Sequence, residues 1–394
     1  MASKKYLNVC NIYIALWVIN IVQSLYWNSS VLSLACSVPL MLMSLYSLFQ
    51  IVQRYHVKNA MKALLVFFLI MCIYGIGLLI TQDAAGQDPK SFLLMLFNSL
   101  GPVFAFYTFA MSGQLTKKTM KISVWIFLVI AILSYFAYEK KALDLLVNNR
   151  YEEITNNSTY FFVALFPFLF LFDKKIIQYA LILCIMVFVI SGMKRGAILT
   201  GLLLLLWFIV RSFRNATGVQ KCLVLLGTVA VVFVGIRYVE YLFSTSDYFQ
   251  YRVNDTLEGH SSGRNKLYSV YWNHFLNNSN LIQTLFGEGA YHTENILGYK
   301  AHNDWLELLI DCGVFGVLMY FIYWCRFLKQ WIASRRNPIL YSIFGACLCF
   351  TFVRTFFSMS FSDMPFSLCM ILGYAFAATA NPEILSYGED NHSR

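Results

Sequence analysis

Residues 195–238 read RGAILTGLLLLLWFIVRSFRNATGVQKCLVLLGTVAVVFVGIRY, and this stretch shows the pattern that decides the fold. Two apolar runs, 195–212 and 219–238, flank a short turn beside which lie Arg211 and Arg214. A helix that crosses a bilayer needs about 20 mostly apolar residues. Each run is long enough to span, and basic residues at such a turn are typical of a cytoplasmic loop.

The same pattern recurs along the whole chain. The sequence has 59% hydrophobic and only 13% charged residues, whereas soluble domains average about 25% charged residues. We therefore predict an all-α polytopic membrane protein, with residues 1–394 forming a single membrane domain. The apolar runs predict about twelve transmembrane helices, at 6–27, 30–52, 60–81, 91–112, 119–138, 159–173, 175–192, 195–212, 219–238, 303–326, 338–357 and 363–380.

Basic residues predict how these helices are oriented in the membrane. Most lysines and arginines fall in loops that lie on the cytoplasmic side if the N-terminus is inside, as the positive-inside rule requires. This orientation places residues 239–301 outside as one large loop and makes residues 381–394 a short cytoplasmic tail. Lys194 and Arg195 break the rule, because they lie in a very short turn on the outer side. Ionisable groups at such depth are costly and usually functional.

Several classes of site lack support in the sequence. The ten cysteines lie in or beside apolar runs and indicate small buried side chains, not a disulfide framework or metal site. The sequence has no GxxxxGK[ST] loop, HExxH motif or Cys/His cluster, so we expect no metal and no cofactor. The basic residues form short clusters between apolar runs, which argues against nucleic acid as a partner.

The first candidate motif is Ser-Gly-Met-Lys-Arg-Gly-Ala, residues 191–197. Arg195 is predicted to start a helix, where a guanidinium beside open backbone N–H groups would suit a phosphate or diphosphate. A lone arginine that extends to the membrane surface is an equally good interpretation of this motif alone.

The second candidate motif is Ser-Ser-Gly-Arg, residues 261–264. The following residues, 265–277, place apolar side chains at helical spacing and predict an amphipathic helix in the outer interface. Ser261 or Ser262 would cap this helix, and Arg264 would lie in its first turn. An ordinary interfacial helix with a flanking cation explains the motif equally well.

The third candidate motif spans the point where the outer loop re-enters the membrane. It consists of Gly-Glu-Gly at 287–289, Ala-His-Asn-Asp-Trp-Leu-Glu at 301–307, and two later glycines, Gly313 and Gly316. His302 would stand at the re-entry point, although a single histidine is more often structural. Paired glycines usually only permit close helix packing.

Three acids follow this point at helical spacing. Asp304, Glu307 and Asp311 share one helix face, so they must turn towards the bundle interior and find partners there. The candidate partners are Arg195, Arg264 and Arg354.

The three motifs together favour one chemistry, because all lie on the same predicted side of the membrane. Outer cations and a histidine would suit a lipid diphosphate donor and a hydroxyl nucleophile. His302 could accept the hydroxyl proton, and arginines could hold the leaving diphosphate.

In this order the motifs resemble those of the O-antigen ligase and O-antigen polymerase superfamily. The resemblance covers roughly the C-terminal half in its motifs and the N-terminal half only in hydropathy. The motifs that carry it are Ser191 to Ala197, Ser261 to Arg264, Gly287 to Gly289, Ala301 to Leu309 and Gly313 to Gly316.

The resemblance implies a metal-independent, inverting membrane glycosyltransferase that takes a glycan from undecaprenyl diphosphate. It implies His302 as the base and Arg195 and Arg264 as essential arginines. The expected partners are the lipid-linked oligosaccharide, an acceptor glycan, membrane lipid and a chain-length regulator protein. The candidate substrate-binding residues are Lys194, Asn303, Arg252, Arg354, Asn157 and Glu307.

Three alternatives remain open on the sequence. Arg252 and Gly263 match once the Arg-(ten residues)-Gly spacing of one polymerase type, so the sequence favours a polymerase slightly over a ligase. A glycolipid transporter belongs to a different class, but transporters of this kind often contain internal repeats, and none is evident here. A structural scaffold would explain neither the outer arginines nor the acidic face.

Overall fold

A computed structural model of the chain describes residues 8–55, 57, 59–81, 89–147, 156–257, 264–278 and 280–385. Every regular element within these ranges is helical. In chain order the α-helices are α1 Val9–Tyr26, α2 Ser30–Arg54, α3 Asn59–Thr81, α4 Pro89–Ser99, α5 Gly101–Met111, α6 Lys117–Val147, α7 Thr159–Val163, α8 Lys175–Ser191, α9 Arg195–Arg214, α10 Gly218–Thr245, α11 Asp247–Leu257, α12 Arg264–Asn278, α13 Leu281–Phe286, α14 His292–Leu297, α15 Asp304–Ala333, α16 Pro338–Phe357 and α17 Phe366–Ala380.

The predicted fold class is confirmed. Nine helical segments within the described ranges are long and apolar enough to cross a membrane, and three shorter apolar segments accompany them, at Thr159–Leu171, Lys175–Ser191 and Phe366–Ala380. These twelve segments fall on the twelve predicted spans. The sixth is interrupted, because α7 is followed by a 3-10 helix at Phe166–Leu171 that contains Pro167, and proline cannot donate the backbone bond that continues an α-helix.

Local sequence explains where many helices begin. Asn8 and Ser29 cap α1 and α2 with side-chain oxygens that accept backbone N–H groups. Asn337 does the same for α16, with Pro338 at the first helical position. These are the residue types that satisfy the open N–H groups at a helix start.

The chain forms two compact units, which we describe separately. The first contains residues 1–117, 263–341 and 351–394. In it α17 packs against α5, and α15 packs against α3. Gly373 permits the first contact, because a Cβ there would lie only 2.6 Å from the carbonyl oxygen of Val103. The rings of Phe67 and Tyr320 meet in the second contact.

The second unit contains residues 118–262 and 342–350. In it α8, α9 and α10 pack against one another. The Tyr179 hydroxyl donates to the carbonyl of Val224 at 2.9 Å. Arg211 is nearly buried and donates to the hydroxyl of Ser342 at 3.1 Å. Arg211, one of the basic residues used to predict the orientation, therefore also forms a buried hydrogen bond.

The helix that precedes the predicted outer loop is longer than the predicted span. We placed the first residue of the loop at 239, whereas α10 continues through Thr245. Short helices α11 to α14 then occupy most of the described part of the loop. The helix predicted at 265–277 is present as α12, which begins at Arg264; its place in the outer interface stays a prediction. The predicted caps, Ser261 and Ser262, lie outside the described residues.

Candidate functional site

The start of α15 is fixed by Asn303. Its backbone is extended (φ −151°, ψ 114°), and its side-chain oxygen accepts the N–H groups of Trp305 and Leu306 at 2.9 and 3.2 Å. Asp304 and Glu307 lie in the first helical turn, where negative charge interacts favourably with the helix dipole. Asn303 is only 9% exposed. This buried cap therefore fixes the position of the preceding residue, His302.

The acidic face of α15 holds the preceding segment in place. Glu307 accepts the N–H of Ala301 at 2.8 Å. Asp311 accepts the N–H groups of Tyr291 and Thr293 at 3.0 and 3.1 Å. Both acids are 3% exposed. Buried polar groups require partners, and here the partners are backbone donors of the segment that leads to α15.

The carboxyl group of Asp304 accepts hydrogen bonds from residues of the same unit. It accepts the Tyr320 hydroxyl at 2.7 Å and the N–H of Ser360 at 2.9 Å, and it interacts electrostatically with Arg354. Arg354 is 1% exposed and donates to the carbonyl and carboxylate oxygens of Asp363 at 2.7 and 2.8 Å. The prediction that the acids turn inward is therefore confirmed, with backbone N–H groups as most of the partners.

Two glycines allow the Gly-Glu-Gly segment to lie against α15. Gly287 has φ +81° and Gly313 has φ +64°, a region that L-residues with side chains rarely adopt. The N–H groups of Glu288 and Gly289 donate to the carbonyls of Ile310 and Asp311 at 2.9 and 3.0 Å. Helix α15 is kinked at Gly313, where a Cβ would lie 2.5 Å from the nitrogen of Gly287. The backbone of the Gly-Glu-Gly segment therefore packs directly against the backbone of α15 at its kink.

His302 is the exposed residue of this re-entry point. It lies between Ala301, which is fully buried, and the capping Asn303. Its backbone is left-handed, with φ +52°. Histidine, asparagine and aspartate tolerate this conformation better than bulkier residues, and such positions cluster at functional sites. The chain therefore presents an exposed imidazole from a backbone that is fixed on both sides.

Arg264 is the first residue of α12 and is partly buried. The helix is fixed by Tyr271, which is fully buried and whose hydroxyl donates to the carbonyls of Tyr299 and Thr293 at 2.6 and 3.2 Å. Those acceptors lie in the segment just before His302. The helix that carries Arg264 and the segment that leads to His302 therefore belong to one unit and are joined by the hydrogen bonds of Tyr271.

Four sequence-predicted residues belong to the second unit. Lys194 is the N-cap of α9 and Arg195 its first residue, as predicted, and both are partly buried. Within the described residues, the N-cap makes no side-chain hydrogen bond to this helix start. Arg252 is partly buried on α11, whereas Asn157 is exposed and its carbonyl accepts the N–H of Tyr160 at 3.2 Å.

Sequence reasoning missed a cluster formed by His274, Glu288 and His292. The two histidine Nε2 atoms lie 2.9 and 2.7 Å from the two carboxylate oxygens of Glu288. Burial lowers the pKa of His292, an effect that Glu288 opposes. His274 lies on α12, whereas the other two residues lie across a loop and the start of α14. Only the Glu-x-x-x-His spacing could have suggested the pair, and that spacing is common.

Part of the chain matches a known family model. Residues 179–321 match the model described as O-Antigen ligase. These residues are therefore similar to the O-antigen ligase family, and the match covers less than half of the chain. The match agrees with the resemblance seen in the motifs and supports a function in glycan transfer, and the apolar helices indicate a multi-pass membrane protein.

Most candidate residues lie inside the matched region. Arg195, Arg264 and His302 do, as do Lys194, Arg252, Asn303 and Glu307, whereas Asn157 and Arg354 lie outside it. A comparison with curated proteins finds no match.

Proposed function

We propose that this protein is an inverting glycosyltransferase that polymerises polysaccharide repeat units on the outer face of the bacterial inner membrane. Its donor is a glycan linked to undecaprenyl diphosphate. The acceptor sugar hydroxyl attacks C1 of the donor sugar, the bond from C1 to the phosphate oxygen breaks, and the lipid diphosphate leaves. No metal takes part in this step. The family match supports glycan transfer, and the positive-inside pattern supports the orientation.

The observation that carries the proposal is the placement of His302. A general base must be exposed to its substrate and yet held in a reproducible position. His302 meets both requirements, because its side chain is exposed while Ala301 and Asn303 are bonded to α15. We propose that the imidazole accepts the hydroxyl proton as the new glycosidic bond forms.

Arg264 is proposed to bind the diphosphate as it leaves. It begins a fifteen-residue helix, so its guanidinium lies where backbone N–H groups and the helix dipole also favour an anion. We propose the same role for Arg195 on comparable grounds, because it begins α9. Lys194, Asn303, Arg252, Arg354, Asn157 and Glu307 remain candidates for substrate binding.

Replacing Arg264 with alanine is expected to lower the rate of transfer by about 10²–10³-fold, because the developing negative charge loses a positioned donor. Arg264→Lys is the matched control: it keeps the charge but loses the planar two-pronged geometry, and we expect intermediate activity. Initial rates with a purified lipid-linked repeat unit measure both. Equal rates for wild type and Arg264→Ala would remove Arg264 from the mechanism.

A second candidate function is that of an O-antigen ligase, which transfers the finished glycan to lipid A-core or another acceptor. The description of the matching family model favours it. The partners would then be the long lipid-linked chain and that acceptor, instead of a growing chain and its length regulator.

Deletion of the gene followed by a gel of surface polysaccharide distinguishes these functions. We expect single repeat units on the lipid anchor, which is the pattern of a missing polymerase, and restoration by the wild-type gene. Long chains that accumulate on undecaprenyl diphosphate would show a ligase instead. An unchanged gel, together with lipid transport by purified protein without a new glycosidic bond, would contradict both.

A further inference from the structure

We infer that His274, Glu288 and His292 form a binding site for one divalent transition metal ion of the Zn²⁺ class. The site would take no part in making the glycosidic bond. It would instead fasten together the elements that present Arg264 and His302. This inference goes beyond the proposed function and does not depend on it.

The spacing of the ligand atoms fits such an ion. One ligand atom from each of the three residues lies within 4.8 Å of the other two. The Nε2 atoms of His274 and His292 lie 2.9 and 2.7 Å from the carboxylate oxygens of Glu288. In a tetrahedral zinc site with metal–ligand bonds of 2.0–2.1 Å, ligand atoms lie about 3.3–3.4 Å apart. Opening the two short contacts by about half an ångström would therefore admit the metal.

Two of the three ligands are held on backbone that is already fixed. Glu288 follows Gly287, and its N–H donates to the carbonyl of Ile310. His292 lies between Tyr291 and Thr293, whose N–H groups both donate to the carboxyl group of Asp311. The backbone around both ligands is therefore hydrogen-bonded to the same turn of α15, at Ile310 and Asp311. Such preorganisation lowers the cost of ordering a metal site.

The third ligand comes from a separate helix, α12. His274 lies one turn after Tyr271, whose hydroxyl fixes α12 to the carbonyls of Thr293 and Tyr299. His274 is therefore held against α14 by a contact that does not involve its own side chain. A metal ion at the cluster would add a second link between α12 and α14.

The chemistry of the ligands selects the class of ion. Two imidazoles and one carboxylate form a ligand set used for Zn²⁺, and imidazole is a poor ligand for Mg²⁺ and Ca²⁺. The side chains are 17%, 9% and 27% exposed, so an ion can enter while much of the site is shielded. Three protein ligands leave a fourth position for water.

The test uses the full-length protein in detergent or nanodiscs, purified with a tag that contains no histidine and stripped with chelator. Titration with Zn²⁺ should show one ion bound per chain and a higher melting temperature. X-ray absorption at the zinc edge should show two imidazole ligands. Mg²⁺ and Ca²⁺ should not compete. His274→Ala, His292→Ala and Glu288→Gln should each weaken zinc binding at least tenfold.

His302→Ala is the matched control, because it removes an exposed imidazole from the same unit; this variant should bind zinc as wild type does even if it transfers no glycan. The inference is overturned if wild-type protein binds no zinc with saturation, or if its absorption spectrum shows no imidazole. It is also overturned if His274→Ala and His292→Ala bind zinc normally; the three residues would then be a hydrogen-bonded cluster only. The spectrum of the wild type decides the matter even if a variant fails to fold.

Discussion

Replacing His302 with asparagine should reduce glycan transfer by about 10²–10⁴-fold, the usual contribution of a general base, while the protein stays folded. Asparagine removes the imidazole but accepts the left-handed backbone that His302 adopts, with φ +52°. Loss of activity in this variant would therefore report the missing base and not a distorted loop. Initial rates with a lipid-linked repeat unit and purified protein measure the effect.

A chemical rescue experiment separates the base from other roles of the imidazole. Glycine at position 302 also accepts a positive φ and leaves space in an exposed position. Imidazole added to His302→Gly should restore part of the rate, and it should restore none in Arg264→Ala. Melting temperatures of the variants within a few degrees of wild type complete the control. A wild-type rate in His302→Asn would mean that another group accepts the proton.

The parts of the fold that the sequence predicts are those set by local pattern. The twelve spans follow from the length of each apolar run, and α12 follows from helical spacing within residues 265–277. Arg195 and Arg264 were expected near helix starts and begin α9 and α12. The acidic face of α15 follows from the spacing of Asp304, Glu307 and Asp311. All of these features depend on residues that are close together in the sequence.

The rest could not be predicted because it depends on contacts between distant residues. We expected arginines as the partners of the three acids, whereas Glu307 and Asp311 accept backbone N–H groups. Every residue except proline supplies such a donor, so no sequence pattern marks it. The meeting of His274 with Glu288 and His292 likewise depends on how α12 lies against α14. Sequence reasoning finds the residues of a loop more readily than the contacts that shape it.

The largest expected effect on stability follows from the contact between the Gly-Glu-Gly segment and α15. Gly287→Ala should destabilise the protein by more than about 3 kcal/mol, which combines backbone strain with two broken hydrogen bonds. The new Cβ would clash with the carbonyl of Asp311, and φ is +81° with ψ −179°, a region open almost only to glycine. Thermal unfolding in detergent and protease resistance measure the loss.

Gly298→Ala is the matched control for this change. Gly298 also has a positive φ, +78°, but a Cβ there would meet no atom within 4 Å. Its substitution should cost only about 1–2 kcal/mol, the strain of a left-handed alanine. The difference between the two variants isolates the close approach of the segment to α15. If both variants melt alike, backbone conformation alone explains the glycines, and the Gly-Glu-Gly segment does not depend on α15 for its position. If Gly287→Ala is much less stable and also loses transfer activity, the position of His302 depends on this contact.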